Sequence, residues 1–82
     1  MAEWFTCSVK RVGPAENGGI ALRLEPLRNE FPSRWFNAHN GIKREMLATA
    51  LTAITTQLHV DANIEARDEY STVNRLYVTR DS

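Results

Sequence analysis

The sequence predicts an α+β domain in which five strands form a sheet and one long helix lies between the third and fourth strands. Three observations carry this prediction. Several segments alternate apolar and polar residues with the period of two that a strand requires. One segment repeats apolar residues at spacings of three and four, as an amphipathic helix does. The length, 82 residues, suits a single domain spanning residues 1–82.

Two strands joined as a hairpin open the chain. In residues 4–12, Phe5, Cys7 and Val9 fall on one face and polar residues on the other. Gly13 and Pro14 end this strand, because proline fixes its own backbone and lacks an N–H. The second strand, residues 20–25, alternates in the same way. Its inward residues are Ile20, Leu22 and Leu24.

Three further strands are shorter or less regular. Residues 34–38 predict the third strand, with Trp35 and Phe36 on opposite faces. Residues 59–66 predict a half-buried fourth strand, since apolar and polar residues alternate strictly there. A polar loop over residues 67–72 then leads into the last strand, residues 73–79.

The helix is predicted over residues 42–58, with Asn40 as its N-cap. One side carries an apolar stripe that should face the sheet. The stripe consists of Ile42, Met46, Leu47, Ala50, Leu51, Ile54 and Leu58. The other side is built from Ala48, Thr49, Thr52, Ala53, Thr55 and Thr56.

The side of the helix away from the stripe lacks charge. Thirteen residues between Glu45 and His59 carry no charged side chain, whereas a solvated helix face normally carries Glu, Lys and Arg. Small residues suit the close approach of another surface, and threonine is a poor helix former. We therefore expect a subunit interface here, and the alternative is an uncharged exposed face. The predicted interface residues are Ala48, Thr49, Thr52, Thr55 and Thr56.

The order strand, strand, strand, helix, strand, strand is that of the OB-fold, a five-stranded barrel with a helix between strands 3 and 4. Order alone does not establish barrel closure. Two architectures of the α+β class therefore stay open: a five-stranded antiparallel sheet covered by the helix, and an OB-like barrel.

Three segments resemble a set of short bacterial proteins of unassigned function: the start WFTCSV, the helix EMLATALTAI and the end EYSTVNRLYV. The resemblance covers nearly the whole chain and implies no catalytic residues. Proteins of this kind often travel on mobile gene cassettes. At the level of fold, the element order also resembles the ring-forming B subunits of bacterial toxins, which are OB-folds. We expect this chain to differ from them, because its first residues lack a signal-peptide pattern and Cys7 is its only cysteine.

Composition narrows the classes of partner. Ten basic and ten acidic residues cancel and are mixed along the chain, which disfavours a general binder of nucleic acid or anionic membranes. The first residues lack the pattern of a signal peptide, and no apolar run has membrane-spanning length. Cys7 is the only cysteine. We therefore expect a cytoplasmic protein without a membrane association.

Two polar clusters are candidate sites. The first, a possible ligand site, comprises Tyr70, Ser71, Thr72 and Asn74. Its alternative is a capped turn, because such side chains bond their own backbone in loops. The second, a possible anion site at the helix start, comprises Asn40, Gly41, Lys43 and Arg44. Its alternative is a solvated helix end.

The remaining reactive and aromatic residues favour structural roles. Cys7 lies on an inward strand face and should behave as a small hydrophobe, so no catalytic residue is predicted. His39, His59 and Asp61 lack close ligand spacing, so no metal or cofactor is expected. A stacking platform for bases or sugars is the alternative role for the aromatics, most of which we expect in the core. They are Trp4, Trp35, Phe36, Tyr70 and Tyr77.

Three classes of function remain. The first is a small non-catalytic module that self-associates as a homo-oligomer and binds a partner. The second is an OB-type protein that binds an oligosaccharide, a peptide or nucleic acid. The third is an enzyme whose site is shared between subunits, because no cluster within one chain forms a catalytic set.

Overall fold

The computed structural model describes residues 2–80 and confirms the predicted order of elements. A 3₁₀ turn precedes the helix and occupies Asn40–Ile42. The strands are β1 (Glu3–Pro14), β2 (Ile20–Pro26), β3 (Arg34–Ala38), β4 (His59–Ile64) and β5 (Thr72–Thr79), and the helix is α1 (Lys43–Thr56).

The five strands close into a small barrel in the order β1-β2-β3-β5-β4. Four of the pairings are antiparallel. β3 and β5 pair in parallel, through Asn37 with Thr72 and Ala38 with Val73. The architecture is therefore the OB-like barrel. The alternative of a wholly antiparallel sheet is wrong, because this parallel contact is what joins the two ends of the sheet.

The barrel interior confirms the inward faces predicted from alternation. Phe5, Cys7 and Val9 of β1 are buried, and Phe36 is buried while Trp35 lies half exposed on the outer side of β3. No polar or charged residue among residues 2–80 is classed as buried. The fourth strand ends at Ile64, so Ala66 is exposed instead of continuing the alternation.

The helix begins and ends differently from the prediction. The ring of His39, and not Asn40, caps the first turn: its Nδ1 accepts a hydrogen bond from the Gly41 N–H at 3.0 Å. This requires a 3₁₀ turn before α1, so regular helix starts at Lys43. The helix ends two residues early because Gln57 adopts a left-handed conformation, φ 61°, which is a common helix terminus.

The buried side of α1 is smaller than the predicted stripe. Met46, Ala50 and Ala53 are buried, whereas Leu51 and Ile54 are 47% and 36% exposed. At about 100° per residue, Leu51 and Ile54 lie about 140° and about 80° around the helix from Met46. Ala53, predicted to face outward, therefore belongs to the inner face. Residues spaced three and four apart cover two neighbouring strips of the helix surface. The strip of Met46, Ala50 and Ala53 packs on the barrel, and the strip of Leu51 and Ile54 remains substantially exposed.

Candidate functional site

The predicted interface residues of α1 lie on the surface. Ala48, Thr52, Thr55 and Thr56 are exposed, and Thr49 is half-buried at the margin. Leu51 and Ile54 extend the same surface, which the prediction missed because it assigned them to the core side. We call the surface formed by Ala48, Leu51, Thr52, Ile54 and Thr55 the outer face of α1.

Three of the four threonine hydroxyls of α1 bond the helix backbone. Thr49 Oγ1 donates to the Glu45 carbonyl at 2.9 Å, and Thr52 Oγ1 donates to the Ala48 carbonyl at 3.0 Å. Thr56 Oγ1 makes the same bond one turn later, at 2.6 Å. Because each of these three hydroxyls has a partner four residues earlier, these threonines present mainly their methyl groups to a neighbour. The Thr55 hydroxyl has no such partner among residues 2–80.

The predicted ligand site at the start of β5 contains groups with different roles. Ser71 Oγ accepts the Ala66 N–H at 2.9 Å and closes the loop between β4 and β5. Asn74 Nδ2 donates to Glu65 Oε2 at 2.9 Å. Thr72 lies in the seam between β3 and β5. These polar groups therefore hold the loop, and of the four predicted residues only Tyr70 presents an exposed ring.

The predicted anion site at the helix start is already occupied by bonds within the chain. The Gly41 N–H bonds the His39 ring, the Ile42 N–H bonds the His39 carbonyl, and Lys43 Nζ donates to the Gly18 carbonyl at 2.8 Å. Arg44 is exposed. Asn40 instead borders a polar cavity of about 440 Å³ between the β1–β2 loop and the end of β3. These two amides and the Lys43 ammonium already bond other groups of the protein. The structure therefore does not favour an anion site at the start of the helix.

Exposed aromatic rings form two groups on different sides of the barrel. Trp4 and Tyr77 stack on each other across β4, with ring centroids 5.7 Å apart. Trp35 and Tyr70 border a separate cavity on the outer side of β1–β3. Of the five aromatics weighed in the sequence, only Phe36 is buried. The expectation that most of them form the core is therefore wrong, because β1, β3 and β5 each place one of them outward.

Cys7 is a core residue, as predicted. Burial, together with the negative charges of Glu30 and Asp61, raises the pKa of its thiol to about 12. The thiolate is the nucleophilic form, and it is scarce at neutral pH when the pKa lies this high. Asp61 Oδ1 itself accepts a hydrogen bond from Thr6 Oγ1 at 2.7 Å on the outer side of the sheet.

Metal ligands do not converge in the part of the chain that the structure describes. Among residues 2–80 no three His, Cys, Asp or Glu side chains lie where they could hold one ion. Within the same residues, no helix combines the length and the apolar character that crossing a membrane requires.

Comparison with known proteins gives no relative. No protein-family model, no curated protein and no solved structure matches the chain. The outer face of α1 and the exposed aromatic groups are therefore the features of the molecule that bear on its function.

Proposed function

We propose that this protein is a small non-catalytic interaction module that self-associates through the outer face of α1. The observation that carries the proposal is the exposure of Leu51 and Ile54 on a helix surface that has no charged side chain from residue 46 to residue 58. Large apolar side chains grouped on a surface favour contact with another protein.

The hydrogen bonds of the threonines make this surface suitable for burial. An unpaired hydroxyl taken from water costs about 1–3 kcal/mol. On the outer face, the Thr52 hydroxyl already has a carbonyl partner, so covering it leaves no such group unpaired, and Thr49 and Thr56 beside the face are bonded in the same way. Thr55 is the one threonine of α1 whose hydroxyl would need a bond from the second copy or from water. Contact with Leu51, Thr52 and Ile54 then gains from apolar burial without that cost at Thr52.

A second copy of the chain is the partner that this surface fits best. A two-fold contact brings the same residues of both copies together, and like charges would then repel across the axis. The outer face of α1 has none. Small side chains at Ala48 and Thr52 also permit the two helix axes to approach closely.

The size of the helix sets the strength of the expected contact. Fourteen residues span about 21 Å, so one helix pair buries less than the roughly 800 Å² per partner of a standard interface. We therefore expect an assembly that depends on protein concentration, with a dissociation constant in the micromolar range or weaker.

Light scattering behind a sizing column, at several loading concentrations, tests the proposal. The wild-type mass should rise above the monomer value of 9.3 kDa as concentration increases. Thr52→Glu should remove this rise, because burying an unpaired carboxylate costs several kcal/mol. Ala66→Glu adds the same charge on the exposed β4–β5 loop and should leave it unchanged. A monomer at every concentration, or an assembly that persists in Thr52→Glu, would contradict the proposal.

A further inference from the structure

A shallow trough runs across the outer side of β1, β2 and β3. Its volume is about 350 Å³, and none of its lining residues comes from α1. Gly13 and Ala21, which are cross-strand partners, form its floor, and neither has a side chain larger than a methyl group. Its other lining residues are Arg11, Val12, Pro14, Trp35 and Tyr70.

Gly13 is a glycine that the fold does not require. Its backbone is not in the left-handed region, and a Cβ at this position would meet no atom within 4 Å. Glycine in a strand costs stability relative to residues with side chains. Packing within the chain therefore gives no reason for the missing side chain. Its absence leaves space in which a ligand can approach the backbone.

Tyr70 holds a strained conformation without gain to the core. Its φ is 67°, a value that is unfavourable for a bulky residue, and its side chain is 62% exposed. Two bonds to β3 fix it: the Tyr70 N–H donates to the Trp35 carbonyl at 2.7 Å, and Asn37 Nδ2 donates to the Tyr70 carbonyl at 3.0 Å. The backbone of Tyr70 is therefore held at a set position, from which its side chain lines the trough together with Trp35.

Positive charge lies along the same row of the sheet. Arg11 and Arg23 are cross-strand partners, and like charges placed opposite one another are unfavourable. The Arg23 guanidinium lies 5.8 Å from the centre of the Trp35 ring and donates to the Ser33 carbonyl. The Arg11 side chain is exposed and has no hydrogen-bond or ion-pair partner among residues 2–80. Glu69 is the nearby acid, and its Oε2 accepts a hydrogen bond from the main-chain N–H of Trp35 at 3.3 Å.

We propose that this trough binds a nucleotide unit, with the base against Trp35 and Tyr70 and the phosphate at Arg11. A flat ring fits aromatic walls over a floor of small residues, and an anion relieves the repulsion between Arg11 and Arg23. A neutral sugar fits less well, because the lining offers few polar groups to its hydroxyls. An extended peptide fits less well because residues 70–71 already bond the outer edge of β3.

The zero net charge of the chain limits the size of this contact. One or two phosphates near Arg11 and Arg23 would give a slope of about −0.7 to −1.4 in a plot of log affinity against log salt, as expected for single strands. The nucleotide could belong to a single-stranded nucleic acid or be free, and the chemistry of recognition is the same.

Fluorescence anisotropy of a fluorescein-labelled oligodeoxythymidylate, about ten nucleotides long, tests the proposal. Wild-type protein should bind it with the shallow salt slope. Tyr70→Gly removes the ring and Gly13→Leu fills the floor, so each should weaken binding at least about fivefold, the lower bound for loss of one stacked base. Neither substitution strains the backbone, so neither should lower the melting temperature. Glycine relieves the strain at position 70, and open space surrounds position 13.

Matched controls lie on the other side of the barrel. Tyr77→Ala removes an exposed ring and Arg75→Gln an exposed guanidinium, and both should bind as the wild type does. Competition by thymidine monophosphate at equal nucleotide concentration would identify a free nucleotide as sufficient; competition by longer strands alone would identify a polymer.

Three results would overturn the proposal. They are no binding at millimolar protein, binding that Gly13→Leu leaves unchanged, and binding of an acidic proline-rich peptide in place of the oligonucleotide.

Discussion

The inner and outer faces of α1 differ in a way that reverses a common expectation. The inner face, which packs on the barrel, uses Met46 and the small residues Ala50 and Ala53. The outer face carries the larger Leu51 and Ile54, both substantially exposed. The contact with the barrel therefore buries one long, unbranched side chain and two small ones, while two branched apolar side chains stay outside it. Hydrophobicity alone does not separate the two faces, and four predictions test the difference between them.

The largest effect should come from Met46, the large side chain of α1 that the barrel contact buries fully. Met46→Ala removes a buried side chain and leaves a cavity, so we expect a loss of about 2–5 kcal/mol in the free energy of unfolding. Urea denaturation measures it. Leu51→Ala is the matched truncation on the outer face, and under conditions where the protein is monomeric it should change stability by less than about 0.5 kcal/mol. Equal losses in the two variants would mean that the faces are not distinct.

Enlarging an alanine on each face reverses the experiment. Ala53→Leu forces extra methylene groups into the contact between α1 and the barrel, which should cost about 1–3 kcal/mol. Ala48→Leu, on the outer face, should cost less than about 0.5 kcal/mol because nothing packs there in the monomer. Thermal unfolding followed by circular dichroism compares the two variants. A stable Ala53→Leu protein would show that the inner contact is loosely packed.

The pH dependence of stability probes the barrel interior that the inner face covers. The folded protein holds the pKa of Cys7 at about 12, above the ordinary value of 9.0, so between these values the unfolded chain loses a proton that the folded chain keeps. Stability should therefore fall as pH rises above about 9, by up to about 1.4 kcal/mol per pH unit. Urea unfolding of wild type and Cys7→Ala across this range isolates the effect, since the variant should lack that part of the slope. Parallel curves would contradict it.

The smallest effect concerns the hydroxyl of Thr52. Valine has the same branched shape, and the lost bond to the Ala48 carbonyl lies at the surface, so Thr52→Val should change stability by only a few tenths of a kcal/mol. If methyl groups make the intersubunit contact, this variant should also keep the concentration-dependent mass in light scattering. Dissociation of Thr52→Val would show that the hydroxyl itself makes the contact.

The fold could be predicted because alternation and helical spacing are local signals. They placed Phe5, Cys7 and Val9 in the interior and found the five strands and the long helix in order. Barrel closure could not be predicted, because it depends on the parallel contact of Asn37 with Thr72, residues far apart in the chain. The exposure of Leu51 was missed for a related reason: the curvature of the barrel, which sequence spacing does not encode, decides how wide a strip of the helix is covered.

The sites were less accessible to sequence reasoning than the fold. Tyr70 was singled out as part of a polar loop, but its neighbours Arg11, Gly13 and Trp35 come from two other strands. Gly13 was interpreted as the end of a strand, whereas β1 continues through it to Pro14. A glycine inside a strand, without a positive φ or a crowded neighbour, is a signal that only coordinates can reveal.

The seam between β3 and β5 has a consequence for how the barrel forms and opens. It has two residue pairs, whereas β1 and β2 share seven, and it joins segments separated by the whole of α1 and β4. Closing so long a loop costs entropy before the contact returns any energy, so we expect the seam to form late in folding and to open first. Among the amides that bond between strands, hydrogen exchange should accordingly be fastest at Asn37 and His39, which bond the Ser71 and Val73 carbonyls across the seam. Tyr70 lies next to this seam, so each opening event would separate it from Trp35 while the β1–β2 hairpin stays intact.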